Sequence, residues 1–265
     1  MNYGQSSQMA RLWEVDLIRG MAVVSMVIFH LAFDLNYLGI LRIDLDSALW
    51  FYLARLTASL FLLLVGISLT LSYSRAVLTG QLSQYPSRLW KRSLWILCLA
   101  LGVTSVTYIL IGRGYIIFGI LHLISISILL AYPLLSLGRM NIALGLGAIL
   151  LGLHIQGMEA DSLWLIWLGL APRGFVSLDY TPLFPWFGMV LMGMATGSLL
   201  YRDLSRRFPL PEACACAPAK GLLFLGRNSL AVYILHQPLL LLLIYLLDGR
   251  SPLPFALAAN WGSGP

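Results

Sequence analysis

The sequence predicts an all-α integral membrane protein, a polytopic bundle of about seven transmembrane helices. Hydrophobic residues make up 59% of the 265 residues and charged residues only 11%, and the mean hydropathy is +0.84. Soluble domains carry roughly 25% charged residues, so this chain could not cover its own surface in water. Helices in lipid pair all of their backbone groups internally, which makes a helical bundle the favoured solution.

Each predicted span is an apolar stretch of a length that can cross a bilayer, roughly 20 residues. The Trp-rich stretch 162–171 is too short and suits an interfacial or re-entrant segment; the count becomes eight if it also crosses. We expect one transmembrane domain over 1–250 and a flexible tail over 251–265, which is rich in Pro and Gly. The seven spans are 18–38, 48–72, 93–112, 115–135, 142–157, 182–200 and 226–247.

Basic residues concentrate in the loops on one side of the predicted bundle. That set begins with Arg11 and Arg19 and continues with the group from Arg88 to Arg92. Cytoplasmic loops of membrane proteins are enriched in Lys and Arg, so the N-terminus is predicted to be cytoplasmic. The net charge of +6 then reflects topology, and no nucleic-acid partner is expected.

The interior of the first predicted span contains an ionisable pair, which is costly in lipid and therefore suggests function. His30 and Asp34 are four residues apart and share one helix face. A carboxylate beside an imidazole can orient it as a general base, or the pair can join two helices. Arg55 in the second span could pair with Asp34, stabilise a developing negative charge, or extend to the interface.

Three further segments carry polar residues that could face the same region. His122 lies in the fourth span, Asp179 and Trp186 lie at the entry to the sixth, and helix packing or an aromatic belt explains each equally simply. In the last span, Pro238 frees one backbone carbonyl beside a polar stripe, which suits a site or a water-filled cleft. This stripe comprises Ser229, Tyr233, His236 and Gln237.

These segments together resemble a known family. RLWEVDLIRGMAVVSMVIFHLAFDL (11–35), FGILHLISIS (118–127), DYTPLFPWFGMVLMG (179–193) and LGRNSLAVYILHQPLL (225–240) resemble bacterial relatives of the heparan-alpha-glucosaminide N-acetyltransferase catalytic domain. That family belongs to a wider group of transmembrane acyltransferases, some of which O-acetylate cell-surface polysaccharides. The resemblance implies an acyl-CoA donor, usually acetyl-CoA, entering from the cytoplasm, and a sugar or similar acceptor on the far side. It also implies a bacterial cytoplasmic membrane.

One departure from the family pattern affects the assignment of the base. The lysosomal member has Asn where this chain has His30, and its own key His lies in the loop after the first helix. The matching loop here, 36–50, contains no His. Arg19-Gly20 and His30 instead match the pattern of the polysaccharide acetyltransferases, so His30 is the predicted base.

The resulting prediction is a membrane-embedded acetyltransferase that acts on a glycan or small-molecule acceptor in the cell envelope, alone or as a homo-oligomer. No metal is expected, since Cys214 and Cys216 form a lone Cys-x-Cys. The predicted catalytic residues are His30, Asp34, Arg55 and His122; the substrate-binding residues are Asp179, Trp186, Tyr233, His236 and Gln237; the residues that bind the donor are Arg19, Arg227 and Arg92.

Two other classes of function fit part of the pattern. A proton-coupled transporter or carrier also buries His, Asp and Arg beside a Pro-broken helix. The sequence shows no internal repeat, which most transporter folds have. A non-catalytic subunit or receptor would have little reason to bury so many titratable groups.

Overall fold

The fold is almost entirely helical, which confirms the predicted class. The computed structural model describes residues 12–210 and 217–249, except for the side chain of Ala217, and is 76% helical. The predicted tail 251–265 lies outside the described residues. The helices in the described chain are α1 (Trp13–Tyr37), α2 (Ala48–Leu78), α3 (Tyr85–Ile111), α4 (Ile120–Ala131), α5 (Asn141–Ile155), α6 (Leu183–Leu200), α7 (Ala217–Arg227) and α8 (Ser229–Asp248).

Six helical segments of the described chain are long and apolar enough to cross a membrane, compared with the seven predicted. The predicted fourth and fifth spans fall together in one segment of 36 residues, Ile120–Ile155. A 3-10 helix, Tyr132–Met140, joins α4 to α5 in this segment, and Gly138 breaks it with a φ of +52°. Asn141 stabilises the break, since its side-chain amide donates to the carbonyls of Leu134 and Gly138 at 2.9 and 3.1 Å.

The Trp-rich stretch forms a short 3-10 helix, Leu163–Leu168, and is not among these six segments. Trp164 is 86% exposed. An exposed Trp on a short helix suits the membrane interface, and the interfacial or re-entrant position stays a prediction.

The described chain divides into two compact units within the region predicted as one domain. We call the described residues of Met1–Phe61 and Leu210–Phe255 the terminal unit, and those of Leu62–Pro209 the central unit. The terminal unit therefore contains α1, the first part of α2, α7 and α8. The central unit contains the rest of α2 and the helices from α3 to α6.

Glycines bring α1 and α7 into close contact in the terminal unit. A Cβ on Gly20 would lie 2.0 Å from the carbonyl oxygen of Leu222, and one on Gly226 would lie 1.8 Å from the carbonyl oxygen of Asp16. Only glycine fits such a crossing of two helix backbones. Elsewhere in this unit the hydroxyls of Ser25 and Thr57 hydrogen-bond at 2.6 Å and join α1 to α2.

Glycines also bring α2 and α6 into close contact in the central unit. A Cβ on Gly66 or on Gly193 would lie 2.0 Å from a backbone oxygen of the facing helix. The contact between α3 and α4 is polar instead: the hydroxyls of Ser93 and Ser125 are 3.0 Å apart, and each donates to the other's backbone carbonyl at 2.9 Å.

The central unit ends in a small hairpin after α6. Strands β1 (Tyr201–Arg202) and β2 (Ser205–Arg206) pair antiparallel. Asp203 and Leu204 at the turn both have positive φ, 51° and 64°, as a tight hairpin turn of two residues requires.

Candidate functional site

The terminal unit contains a group of buried and partly buried polar side chains from α1 and α8, which we call the α1–α8 polar site. It comprises His30, Asp34, Tyr233, His236 and Gln237. Asp34 is 1% exposed and His236 is 8% exposed. The structure thus brings together two of the predicted catalytic residues with three of the predicted substrate-binding residues.

Both imidazoles of the site are held by backbone carbonyls of their own helices. His30 Nδ1 lies 2.8 Å from the carbonyl oxygen of Met26, and His236 Nδ1 lies 2.6 Å from that of Tyr233. A carbonyl oxygen can only accept, so in both neutral rings Nδ1 carries the hydrogen and Nε2 carries the lone pair. The two rings are nearly perpendicular, with centroids 4.7 Å apart.

The carboxylate of the site is held by an amide. Gln237 Nε2 donates to Asp34 Oδ1 at 2.7 Å. Three buried atoms of the site, Asp34 Oδ2, His236 Nε2 and Gln237 Oε1, have no hydrogen-bond partner among the described residues. A buried polar atom without a partner costs about 1–3 kcal/mol, so this arrangement favours a ligand that donates hydrogen bonds.

The link between Asp34 and Gln237 was not foreseen from the sequence. The i,i+4 spacing pointed to Asp34 as the partner of His30, whereas one carboxylate oxygen is bound by α8 across the helix contact. Arg55, the other candidate partner of Asp34, is exposed, and its guanidinium lies 4.9 Å from the centroid of the Phe51 ring. A cation over an aromatic ring is a favourable contact.

The predicted residues His122 and Asp179 belong to the central unit, where they form a second group with Thr104 and Thr181. We call this group the His122–Asp179 cluster. His122 Nδ1 accepts from the backbone N–H of Gly119 at 3.3 Å, so Nε2 carries the hydrogen in the neutral ring. His122 Nε2 faces the Thr104 hydroxyl at 3.4 Å.

Asp179 stabilises the start of α4. Its Oδ2 accepts from the backbone N–H of Ile120 at 3.1 Å, and its Oδ1 accepts from the Thr181 hydroxyl at 2.7 Å. A carboxylate at a helix N-terminus satisfies a free N–H and interacts favourably with the helix dipole. Both carboxylate oxygens therefore have protein partners.

Two aromatic residues lie at the entry to α6. Trp186 is partly buried in the first turn of that helix. The Tyr180 hydroxyl donates to the carbonyl of Ile166 at 2.8 Å and so ties the segment before α6 to the short Trp-rich helix. Burial raises the pKa of the Tyr180 phenol above its usual value, so the group stays protonated and keeps donating.

Two of the arginines predicted to bind the donor meet at one carboxylate in the terminal unit. Asp16 Oδ1 lies 3.1 Å from Arg19 Nη1, and Asp16 Oδ2 lies 3.5 Å from Arg227 Nε. We call these three residues the arginine–aspartate cluster. The third predicted arginine, Arg92, lies on α3 in the central unit and is exposed. Sequence reasoning missed Asp16, although its position three residues before Arg19 was a usable signal.

The structure defines a polytopic helical membrane protein with a buried polar site between its first and last helices. The family model described as heparan-alpha-glucosaminide N-acetyltransferase, catalytic, matches residues 11–238, and the chain belongs to this family of membrane acetyltransferases. No curated protein and no solved structure matches the chain significantly.

Acetyl-CoA is the acetyl donor that this family uses in general. Across residues 12–210 and 217–249, no three His, Cys, Asp or Glu side chains are grouped so that they could hold a metal ion. Cys214 and Cys216 lie outside the described residues.

Proposed function

We propose that the protein transfers an acetyl group from cytoplasmic acetyl-CoA to a hydroxyl or amine of a sugar or other polar acceptor on the extracytoplasmic side of a bacterial cytoplasmic membrane. Family membership supports the reaction class. The observation that supports the site is the set of buried hydrogen-bond acceptors in the α1–α8 polar site that have no partner among the described residues. A hydroxyl or amine group of an acceptor molecule supplies the donors that these atoms lack.

In this proposal His30 is the general base. Its Nδ1–H is fixed on the Met26 carbonyl, so Nε2 is the nitrogen that takes the proton from the acceptor hydroxyl or amine. As this proton moves to Nε2, the oxygen or nitrogen attacks the thioester carbonyl carbon; the C–S bond then breaks, and the coenzyme A thiolate takes the proton from His30. The products are the acetylated acceptor and coenzyme A, with His30 neutral again.

Asp34, His236 and Gln237 orient the acceptor in this scheme. Gln237 fixes the carboxylate of Asp34 through Oδ1, which leaves Oδ2 to receive a hydrogen bond from the acceptor. A carboxylate also offsets the positive charge that forms on the protonated imidazole. Three other assignments stay predictions. Arg55 and His122 are predicted to stabilise the oxyanion, Trp186 and Asp179 to bind the acceptor, and Arg92 to bind the donor.

The test uses purified protein in detergent or nanodiscs. Release of the coenzyme A thiol from acetyl-CoA is measured with a panel of sugars, amino sugars and polyols, beside binding of acetyl-CoA without acceptor. We expect binding without acceptor and release that depends on one class of acceptor. Folded protein that binds no acetyl-CoA would refute the proposal, and solute flux into liposomes without coenzyme A would favour the transporter.

A further inference from the structure

The arginine–aspartate cluster joins two helices that are far apart in the sequence. The Asp16 side chain is 3% exposed and contacts a guanidinium from its own helix, α1, and one from the end of α7. Ion pairs with a buried member depend strongly on their geometry, because the carboxylate has lost its water. Asp16 thus draws both arginines to one place: Arg19 is hydrogen-bonded to it at 3.1 Å, and Arg227 forms a longer ion pair at 3.5 Å.

The glycine crossing makes this arrangement rigid. Gly226 immediately precedes Arg227, and its backbone packs directly on the Asp16 carbonyl. Gly20 immediately follows Arg19 and packs on Leu222 in the same way. Each arginine is therefore the sequence neighbour of a glycine at which the backbones of α1 and α7 are in contact. Its Cα has little freedom to move.

The cluster has two guanidinium groups and one carboxylate, so these three side chains carry a net charge of +1. The Arg227 side chain is 49% exposed, whereas Arg19 is 19% exposed. A guanidinium has five N–H donors, and the contact with Asp16 engages Arg227 through Nε. The accessible end of Arg227 is suited to an anion with several oxygens.

We propose that Asp16 is a positioning residue that holds Arg19 and Arg227 as a two-arginine clamp for the phosphates of the coenzyme A donor. This inference rests on the proposed function. Arginine binds phosphate oxygens through two parallel N–H groups, so a pair held at a fixed spacing fits a diphosphate better than isolated basic residues do. The phosphate of a lipid headgroup has the same chemistry and is the other source that the experiment must distinguish.

The experiment compares two donors that share the thioester and the pantetheine arm. Acetyl-CoA also carries the diphosphate and the 3′-phosphoadenosine, and acetyl-pantetheine carries neither. For Asp16→Asn we expect the KM for acetyl-CoA to rise at least about tenfold, because the arginines lose the charged group that places them. The KM for acetyl-pantetheine and the kcat with either donor should change by less than about twofold to threefold.

Two further variants make the result specific. Asp46→Asn makes the same chemical change at an exposed position of the terminal unit and should leave both donors unaffected. Arg227→Lys keeps the charge without the planar fork and should also raise the KM for acetyl-CoA alone. It provides the test if Asp16→Asn does not fold.

Three outcomes would overturn the inference while leaving the proposed function intact. An equal loss with both donors would show that Asp16 only joins the helices. An effect that follows the content of anionic lipid instead of the donor would assign the clamp to a headgroup, and wild-type kinetics in both variants would remove the clamp. Absence of acetyl-CoA turnover in wild-type protein would instead count against the proposed function itself.

Discussion

The two groups of polar residues differ in how fully their hydrogen-bonding atoms are satisfied. In the His122–Asp179 cluster both carboxylate oxygens accept hydrogen bonds, and both ring nitrogens of the histidine have neighbours within 3.4 Å. In the α1–α8 polar site a carboxylate oxygen, an imidazole nitrogen and an amide oxygen lack partners among the residues the structure describes. Each group contains histidine and aspartate, so residue type alone does not separate them.

The difference shows which feature of a buried titratable residue indicates binding. A polar group that is satisfied by its own protein stabilises the fold, and its removal leaves other buried groups without partners. A polar group that is rigidly held but unsatisfied is prepared for a ligand. By this criterion the α1–α8 polar site is the stronger candidate for acceptor binding. The His122–Asp179 cluster stabilises the start of α4.

The largest effect is expected for His30→Ala. General-base catalysis contributes about 10²–10⁴-fold, so acetyl transfer should fall by at least about 100-fold. Binding of acetyl-CoA, measured by calorimetry, should remain within about threefold of wild type. His154→Ala, which changes an exposed histidine at the end of α5, is the matched control. Unchanged turnover in His30→Ala would remove His30 as the base.

The second-largest effect is expected for a change at Asp34, whose Oδ2 has no hydrogen-bond partner among the described residues. Asp34→Asn replaces an acceptor with a donor at Oδ2 or, if the amide is flipped, disturbs the bond with Gln237. We expect kcat/KM for the acceptor to fall by about tenfold or more. The KM for acetyl-CoA should stay within about twofold. A variant that loses donor affinity and keeps acceptor kinetics would show that Asp34 does not face the acceptor.

His122→Ala tests the His122–Asp179 cluster, the group whose polar atoms have protein partners. Its removal leaves the Gly119 N–H and the Thr104 hydroxyl short of a neighbour, so we expect a loss of about 1–3 kcal/mol in unfolding free energy. Turnover per folded molecule should fall by less than about threefold. Thermal unfolding in detergent and acetyl transfer measure the two quantities. Normal stability with a 100-fold loss of turnover would break the comparison and support the prediction that His122 stabilises the oxyanion.

The smallest effect is expected for Asp179→Asn. The amide retains one oxygen for either Ile120 N–H or Thr181 but loses the charge at the helix N-terminus, which is worth about 1 kcal/mol or less. The midpoint of thermal unfolding should therefore drop slightly, with acceptor kinetics unchanged. Asp161→Asn, at an exposed loop position, is the control. A rise in the KM for the acceptor would instead support the prediction that Asp179 binds substrate.

Hydropathy was sufficient to predict the fold class, because the bilayer imposes both the length and the apolarity of each helix. It did not predict how the fourth and fifth spans are joined, since the positive φ of Gly138 depends on the local backbone and its support by Asn141. The residues of the α1–α8 polar site were each found from helix spacing. The bond from Gln237 to Asp34 was not, because it joins residues 203 positions apart.

The composition of the terminal unit has a consequence for biosynthesis. Its helices come from the first 61 residues and from the region after Leu210, so the ribosome completes one half of the unit long before the other. Until α8 is inserted, the carboxylate of Asp34 lacks its hydrogen bond from the amide of Gln237. Until α7 is inserted, Gly20 lacks its contact with Leu222. Because α8 is translated long after α1, it completes the site late, and a chain that stops before α8 retains an early helix with polar side chains that are costly in lipid.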